Sequence, residues 1–220
     1  MNWGLLQALA ALLLVLLSGR ELSAQEYGSA ARVNGVEISQ FRLERHFEDY
    51  LREQRRSVAQ IRNPSVYKRL KREALEQLID KELLWQQAQR QGIEVSDAEV
   101  ARTREVVAAS FSNPEAFARR LQAAGFDEAG YTEYLRREIA ASRMLDQLVP
   151  TVTVSDEEVR SFYRALRTQG APAPDEPLSE EQQLAPVRQV LLDQRSAEAR
   201  RAALQRLRED ARVEVLVPLF

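Results

Sequence analysis

The chain has 220 residues, 45% hydrophobic and 29% charged, with a formal net charge of -2 at pH 7; that supports one or two globular units with a real core and excludes wholesale disorder. A near-neutral balance makes no global basic field, so nucleic acid is not an expected partner. The absence of cysteine excludes disulfides, a lipid anchor on cysteine and thiolate metal sites, and leaves the core to hold the fold.

From Gly4 to Leu17 runs GLLQALAALLLVLL without a charge, followed by Leu22-Ser23-Ala24 with a small residue suited to signal peptidase. Residues 1–24 therefore read as a secretory signal cut near Ala24, which places the mature chain in the periplasm. As a helix the apolar run is only ~21 Å long, short of the ~30 Å of bilayer hydrocarbon. The alternative is an inner-membrane anchor facing the periplasm. Beyond it we expect a helical module over residues 25–168, a proline-rich linker over 169–185, and a helix and strand over 186–220 that complete the same module.

Ala31-Arg-Val-Asn-Gly-Val-Glu-Ile38 places Asn34-Gly35 between two β-prone pairs, the signal for a tight hairpin whose central residues both want positive φ. One ribbon does not stand alone. Arg212-Val-Glu-Val-Leu-Val217 is the other strand candidate, so the two ends of the chain are expected to pair. Ser39 can cap a helix carrying Phe41, Leu43, Phe47, Tyr50 and Leu51. Asn63-Pro64 starts a long second helix, running through Leu70, Leu75, Leu78, Ile79, Leu83 and Trp85 to a stop at Gly92. Asn113-Pro114 starts a short one through Phe117 and Leu121, ended by Gly125. Asp127 caps the next, which carries Tyr131, Tyr134, Leu135, Ile139, Met144, Leu145 and Leu148.

The octet Ile93-Glu-Val-Ser-Asp-Ala-Glu-Val100 returns almost unchanged as Val152-Thr-Val-Ser-Asp-Glu-Glu-Val159. In each, Ser96 or Ser155 stands three residues before Glu99 or Glu158, the spacing of a capping box. The flanking valines, 95 with 100 and 154 with 159, occupy the positions of a hydrophobic staple, and the first-turn acids suit the positive end of the helix dipole. Both octets read as helix starts; paired catalytic carboxylates would need a histidine or a metal-ligand spacing beside them, and no longer repeat surrounds the two copies. A short helix, Val159-Arg-Ser-Phe-Tyr163, leads into Gln169-Gly-Ala-Pro-Ala-Pro-Asp-Glu-Pro177, an extended linker by its prolines. Helical pattern resumes by Pro186, with Val190, Leu191, Leu204 and Leu207 on one stripe.

The VNG hairpin, the long helix ALEQLIDKELLWQQAQRQGIEVSDAEV, the later VTVSDEEVRSFY and the closing VRQVLLDQRSAEARRAALQRLREDARVEVL together resemble the N-terminal region of the SurA-like periplasmic chaperones. The resemblance implies a mainly α, multi-helix SurA N-terminal-like module with a small β-ribbon pairing the N-terminal hairpin and the C-terminal strand. It further implies ATP-independent holding of unfolded or partly folded exported proteins, such as outer-membrane proteins. In that family one or two parvulin-type prolyl isomerase domains normally sit before the returning helix; here residues 164–186, 23 in all, leave no room for one. Parvulin sites use histidines, and this chain has one, His46, in the first helix. The expectation is a client-binding module without isomerase activity.

Gly125-Phe-Asp-Glu-Ala-Gly130 has Walker-like glycine spacing but continues with Tyr131-Thr132 in place of Lys-Ser/Thr. No cofactor and no metal are expected. Candidates for an apolar client groove are Tyr67, Trp85, Phe111, Phe117, Tyr131 and Tyr134. Arg52, Arg55, Arg56, Arg62, Lys68, Arg69, Lys71 and Arg72 stand against Glu53 alone, a solvated face or a basic rim that attracts acidic clients or gives weak contact with anionic head groups. Two further functional readings are kept, a dedicated periplasmic adaptor binding one folded partner and an isomerase with a cryptic site.

Overall fold

The computed structural model describes residues 28–169 and 179–218; the expected signal segment and most of the expected proline-rich linker lie outside them. Among the described residues seven α-helices accompany one three-stranded antiparallel sheet, a mainly α fold. The chain divides into two compact units. Among the described residues, one comprises 28–83 with Gln122–Gly125 and 211–218, the other Leu84–Leu121, 126–169 and 179–210.

The first unit is built on the hairpin of β1 (Ser29–Val33) and β2 (Val36–Ser39). Asn34 and Gly35 take φ of 51° and 86°, the left-handed pair that matches strand twist in a two-residue turn. Asn34 also fastens the far end of the chain. Its N–H donates to the Arg212 carbonyl at 2.8 Å, and its side-chain oxygen accepts from the Arg212 N–H at 2.8 Å. β3 (Val213–Val215) thereby pairs antiparallel with β1, Val33 opposite Val213 and Ala31 opposite Val215. The expected pairing of hairpin and C-terminal strand is present.

Two helices complete this unit, the first packed against the hairpin and the second against the first. Ser39 caps α1 (Gln40–Glu53), accepting from the Arg42 N–H, and the helix buries Leu43, Phe47, Tyr50 and Leu51 at helical spacing. α2 (Pro64–Arg90) buries Leu70, Ala74, Leu75, Leu78, Ile79 and Leu83 within this unit. The helices run antiparallel, since Tyr50 donates to Glu73 at 2.6 Å while His46 meets Gln77 at 3.1 Å. Phe47 is fully buried and meets the edge of Tyr67 with ring centroids 5.3 Å apart. Glu82, only 2% exposed, reaches the Arg42 guanidinium at 3.3 Å, which compensates its burial.

The second unit takes over α2 at Leu84. Gly92, at φ 67°, ends the helix, and the Ile93 N–H returns to the Ala88 carbonyl at 2.9 Å. There follow α3 (Asp97–Ala109), α4 (Pro114–Ala123) and α5 (Glu128–Leu148). Leu84, Ala88, Val95, Val100, Phe117, Tyr131, Leu135, Ala140, Ala141 and Met144 form their common core. α6 (Asp156–Thr168) and α7 (Glu180–Glu209) share a smaller core of Val159, Leu184 and Val187. Both octets start helices through complete capping boxes, and each valine pair falls within one core cluster.

Two boundaries differ from the expectation. α6 reaches Thr168, well past Tyr163. α7 begins at Glu180, so the last residues assigned to the linker are helical and Pro186 lies inside the helix. Ser179 and Gln182 form another capping box: Gln182 accepts from the Ser179 N–H at 2.9 Å and donates its own N–H to the Ser179 hydroxyl at 3.3 Å. Pro186 costs α7 one hydrogen bond, the one to the Gln182 carbonyl, and its reading as a helix start hid the earlier cap.

Phe47→Ala removes the largest fully buried side chain of the first unit. Urea denaturation followed by far-UV circular dichroism should show that unit losing about 3–5 kcal/mol.

Candidate functional site

The two asparagine and aspartate caps of the second unit bring distant aromatic rings into contact. Asn113 accepts from the Ala116 N–H at 2.8 Å and starts α4 so that Phe117 lies on its inner face. Asp127 accepts from the Gly130 N–H at 2.7 Å and starts α5, placing Tyr131 one turn in. The rings then form a continuous chain. Phe111 to Phe117 is 5.4 Å between centroids, Phe117 to Tyr131 5.8 Å, Tyr131 to Phe126 5.4 Å and Phe126 to Tyr134 5.2 Å. Such contacts add ~0.5–1.5 kcal/mol each to the area they bury.

Four of the six candidate aromatic residues thus meet. Phe117 and Tyr131, 6% and 5% exposed, are core; Phe111 and Tyr134 are half-buried. Burial raises the Tyr131 phenol above its ordinary pKa against an opposing pull from Arg104, so the ring stays neutral. Phe126 joins the chain although the helical stripes did not include it. It precedes the Asp127 cap and contacts Tyr131 four residues into the helix, the arrangement of a hydrophobic staple. Trp85 and Tyr67 stand apart from this chain of rings. Trp85 lies under the Arg137 guanidinium at 5.3 Å and lines a separate cleft of about 550 Å³ with Ile93, Val95 and Arg136. Tyr67 belongs to the first unit, between Phe47 and the Lys71 ammonium.

Beside the aromatic chain opens a cleft of about 650 Å³, lined by Ala108 and Ala109 of α3, Phe111, and Pro114, Phe117, Ala118 and Leu121 of α4. Its polar contribution includes an ion pair, Arg104 with Glu128 at 2.8 Å, the guanidinium lying 5.5 Å from the Phe117 ring. Small alanines and partly exposed rings make a surface that can bury an apolar side chain. Nucleophile and base pairing is not what this set of side chains offers. His46, in the first unit, is engaged with Gln77, and no group of acids or histidines among the described residues has the arrangement of a metal site.

The two octets turn out to be docked as well as capped. Arg143 of α5 donates to the Glu94 carbonyl at 2.7 Å and to Glu99 at 2.5 Å, while Arg136, two turns earlier, pairs with Asp97 at 2.8 Å. In the second copy Arg195 of α7 donates to the Thr153 carbonyl and to Glu158, while Arg188, again seven residues earlier, pairs with Asp156 at 2.8 Å. The sequence shows no longer repeat around the octets, yet each is received by two arginines of a partner helix in equivalent roles.

The basic stretch lies wholly in the first unit. Arg69 pairs with Glu73 at 3.0 Å, and Lys71 pairs with Glu44. Arg55, Arg56 and Arg62 are exposed in the connection between α1 and α2, and Lys68 and Arg72 are exposed on α2.

A sequence model of the SurA-like N-terminal domain matches residues 2–145. The chain belongs to this family. It is 30% identical over 103 residues to the chaperone SurA of Pseudoalteromonas translucida strain TAC 125, a match covering 46% of this chain and 24% of that protein. The chain thus spans about a quarter of that relative's length. A solved structure from work on Campylobacter jejuni PEB4 and Cj1289, described there as two structurally related SurA-like chaperones, aligns with 86% of this chain and 99% of its own at 11% identity and a TM-score of 0.45. Within this SurA-like chain the aromatic cleft falls inside the family match, and the second docked octet beyond it.

The docking carries a pH signature. Hydrogen bonds from Ser96 and Arg143 hold Glu99 at about 2, from an ordinary 4.5, and Ser155 with Arg195 does the same for Glu158. A carboxylate depressed in the folded state adds stability that is complete above its unfolded pKa and is lost as pH falls through the folded one. The melting temperature should therefore decline between pH about 4.5 and about 2 through these groups. In the double variant Glu99→Gln/Glu158→Gln, which keeps the cap geometry, that part of the decline should disappear; melting curves from pH 7 to pH 2 measure it.

Proposed function

We propose that the chain is a periplasmic, ATP-independent chaperone that holds unfolded or partly folded exported proteins, outer-membrane proteins among them. The observation that carries this reading is the apolar cleft of α3 and α4, where the half-buried Phe111 and Leu121 border exposed Ala109 and Ala118. An extended client would place an apolar or aromatic side chain there. Arg104, half-buried and paired with Glu128, gives the cleft its polar side.

Membership of the SurA-like family supports the chaperone reading, and residues 1–24 supply the export signal. The reading calls for no nucleotide, and the Walker-like segment 125–130 lacks the lysine that would hold a phosphate. Prolyl isomerase activity is not part of the proposal, since the short interval at residues 164–186 leaves the parvulin domain no place.

The test is suppression of light scattering when a urea-unfolded outer-membrane protein is diluted into excess chaperone. Wild type should suppress aggregation. Ala118→Glu, which places a charge on the exposed side of the cleft, should weaken client binding about tenfold, the effect of ~1.4 kcal/mol lost at a contact of this kind. Its melting temperature should stay at the wild-type value. No suppression at any ratio would reject the holdase and favour an adaptor for one folded partner.

A further inference from the structure

Helix α1 ends in a Schellman turn, with the Arg55 N–H donating to the Arg52 carbonyl at 2.9 Å and the Arg56 N–H to the Leu51 carbonyl at 2.8 Å. The residue after the cap takes a left-handed conformation in such a turn, and glycine is the residue that does so without cost. Here it is Arg55, at φ 56°. A long cation at a glycine position points to function, because the fold alone would be better served without it.

The connection that follows is ordered by its own hydrogen bonds. Gln60 accepts from the Ser57 N–H at 2.8 Å, the Ile61 N–H returns to the Val58 carbonyl at 3.0 Å, and Asn63 accepts from the Ser65 N–H at 2.9 Å. From Gln54 to Asn63 it carries Arg55, Arg56 and Arg62 and no acid. All three are exposed, and Val58 between them is 44% exposed. Because α1 and α2 run antiparallel, this segment is the tip of a helical hairpin. The exposed Lys68 and Arg69 follow within the first two turns of α2.

We propose that this tip is a docking surface for an anionic phospholipid bilayer. Exposed arginines before and after one exposed aliphatic residue, in a connection ordered by its own hydrogen bonds, combine attraction to lipid phosphates with a small apolar residue that enters the interface. An acidic polypeptide would be served by the arginines but has no use for Val58 held out among them. The surface lies in the first unit and the client cleft in the second, so the proposal does not rest on the chaperone reading. The two are lost or kept independently.

The experiment is flotation of the full chain with vesicles of phosphatidylglycerol and phosphatidylcholine, against phosphatidylcholine alone. The apolar segment at residues 4–17 is present in every variant and contributes to both lipids, so the preference for anionic vesicles reads the tip. Each arginine near the surface accounts for about fivefold in partitioning. Arg55→Gln/Arg56→Gln/Arg62→Gln should reduce the anionic preference on the order of a hundredfold. High salt, ~1 M, should abolish it in wild type. Arg55→Gly separates a structural from a binding role: it should keep or raise the melting temperature while weakening anionic binding about fivefold. Unchanged anionic preference in the triple variant would overturn the proposal. So would arginine-dependent binding to polyglutamate without arginine-dependent binding to vesicles, which would assign the tip to an acidic polypeptide.

Discussion

The carboxylate of Glu99 answers three donors at once: the Ser96 N–H at 2.9 Å, the Ser96 hydroxyl at 2.8 Å and the Arg143 guanidinium. Two of these start a helix and the third joins that helix to another. Glu158 does the same with Ser155 and Arg195. The second unit depends on this coupling, because it ties the start of α3 to α5, and the start of α6 to α7. Exposed ion pairs contribute only ~0–1 kcal/mol each, so their main effect is orientation. The stabilisation comes from the valines beside them: Val95 and Val100 enter the larger core, Val159 the smaller one. Paired arginines seven residues apart, ~10.5 Å along a helix, leave each docked helix little freedom to slide.

That orientation has a consequence for the cleft. Ala108 and Ala109 are at the C-terminal end of α3, and the opposite end of the same helix is held by Arg136 and Arg143. With α3 fixed, the cleft's alanine wall is fixed too. Its aromatic wall is anchored differently, by Phe117 and Tyr131, which are nearly inaccessible and position Phe111, Phe117 adding only a small area of its own to the cleft. A holding site needs apolar area that the core does not consume. Here one row of rings supplies both, the inner members closing the core and the outer one bordering the cleft.

Local chemistry was readable and long-range chemistry was not. Ser39, Asn63, Ser96, Asn113, Asp127 and Ser155 marked their helix starts because a cap is decided by residues three apart. Asn34-Gly35 marked its turn because two positive φ angles restrict the residue choice. The start of α7 was equally local, in Ser179 to Gln182, but Pro186 suggested a later beginning. Phe126 carried a staple signal that the helical stripe could not show, since it precedes the helix. Among the candidate aromatics, helical spacing could not separate Phe117 from Phe111, because exposure is decided by which helix packs opposite. The arginines that receive the octets lie about forty residues away in sequence; nothing in the local pattern of RREIAASR or RQVLLDQR announces a partner.

The same residue type serves opposite ends in the two units. Arg136, Arg143, Arg188 and Arg195 each meet an acid or a carbonyl of an octet, and their charge is spent on internal geometry. Arg55, Arg56 and Arg62 lie in a segment that contains no acid, and one of them occupies a backbone conformation that favours glycine. A net charge of -2 averages over both and conceals the difference. Screening sharpens it: in 0.1 M salt, charges more than ~10 Å from the tip are largely invisible to it, and of nearer acids Glu48 shares a cleft there with Arg52 and Arg56. A surface or a client approaching that hairpin therefore meets a cationic object, although the chain as a whole is slightly anionic.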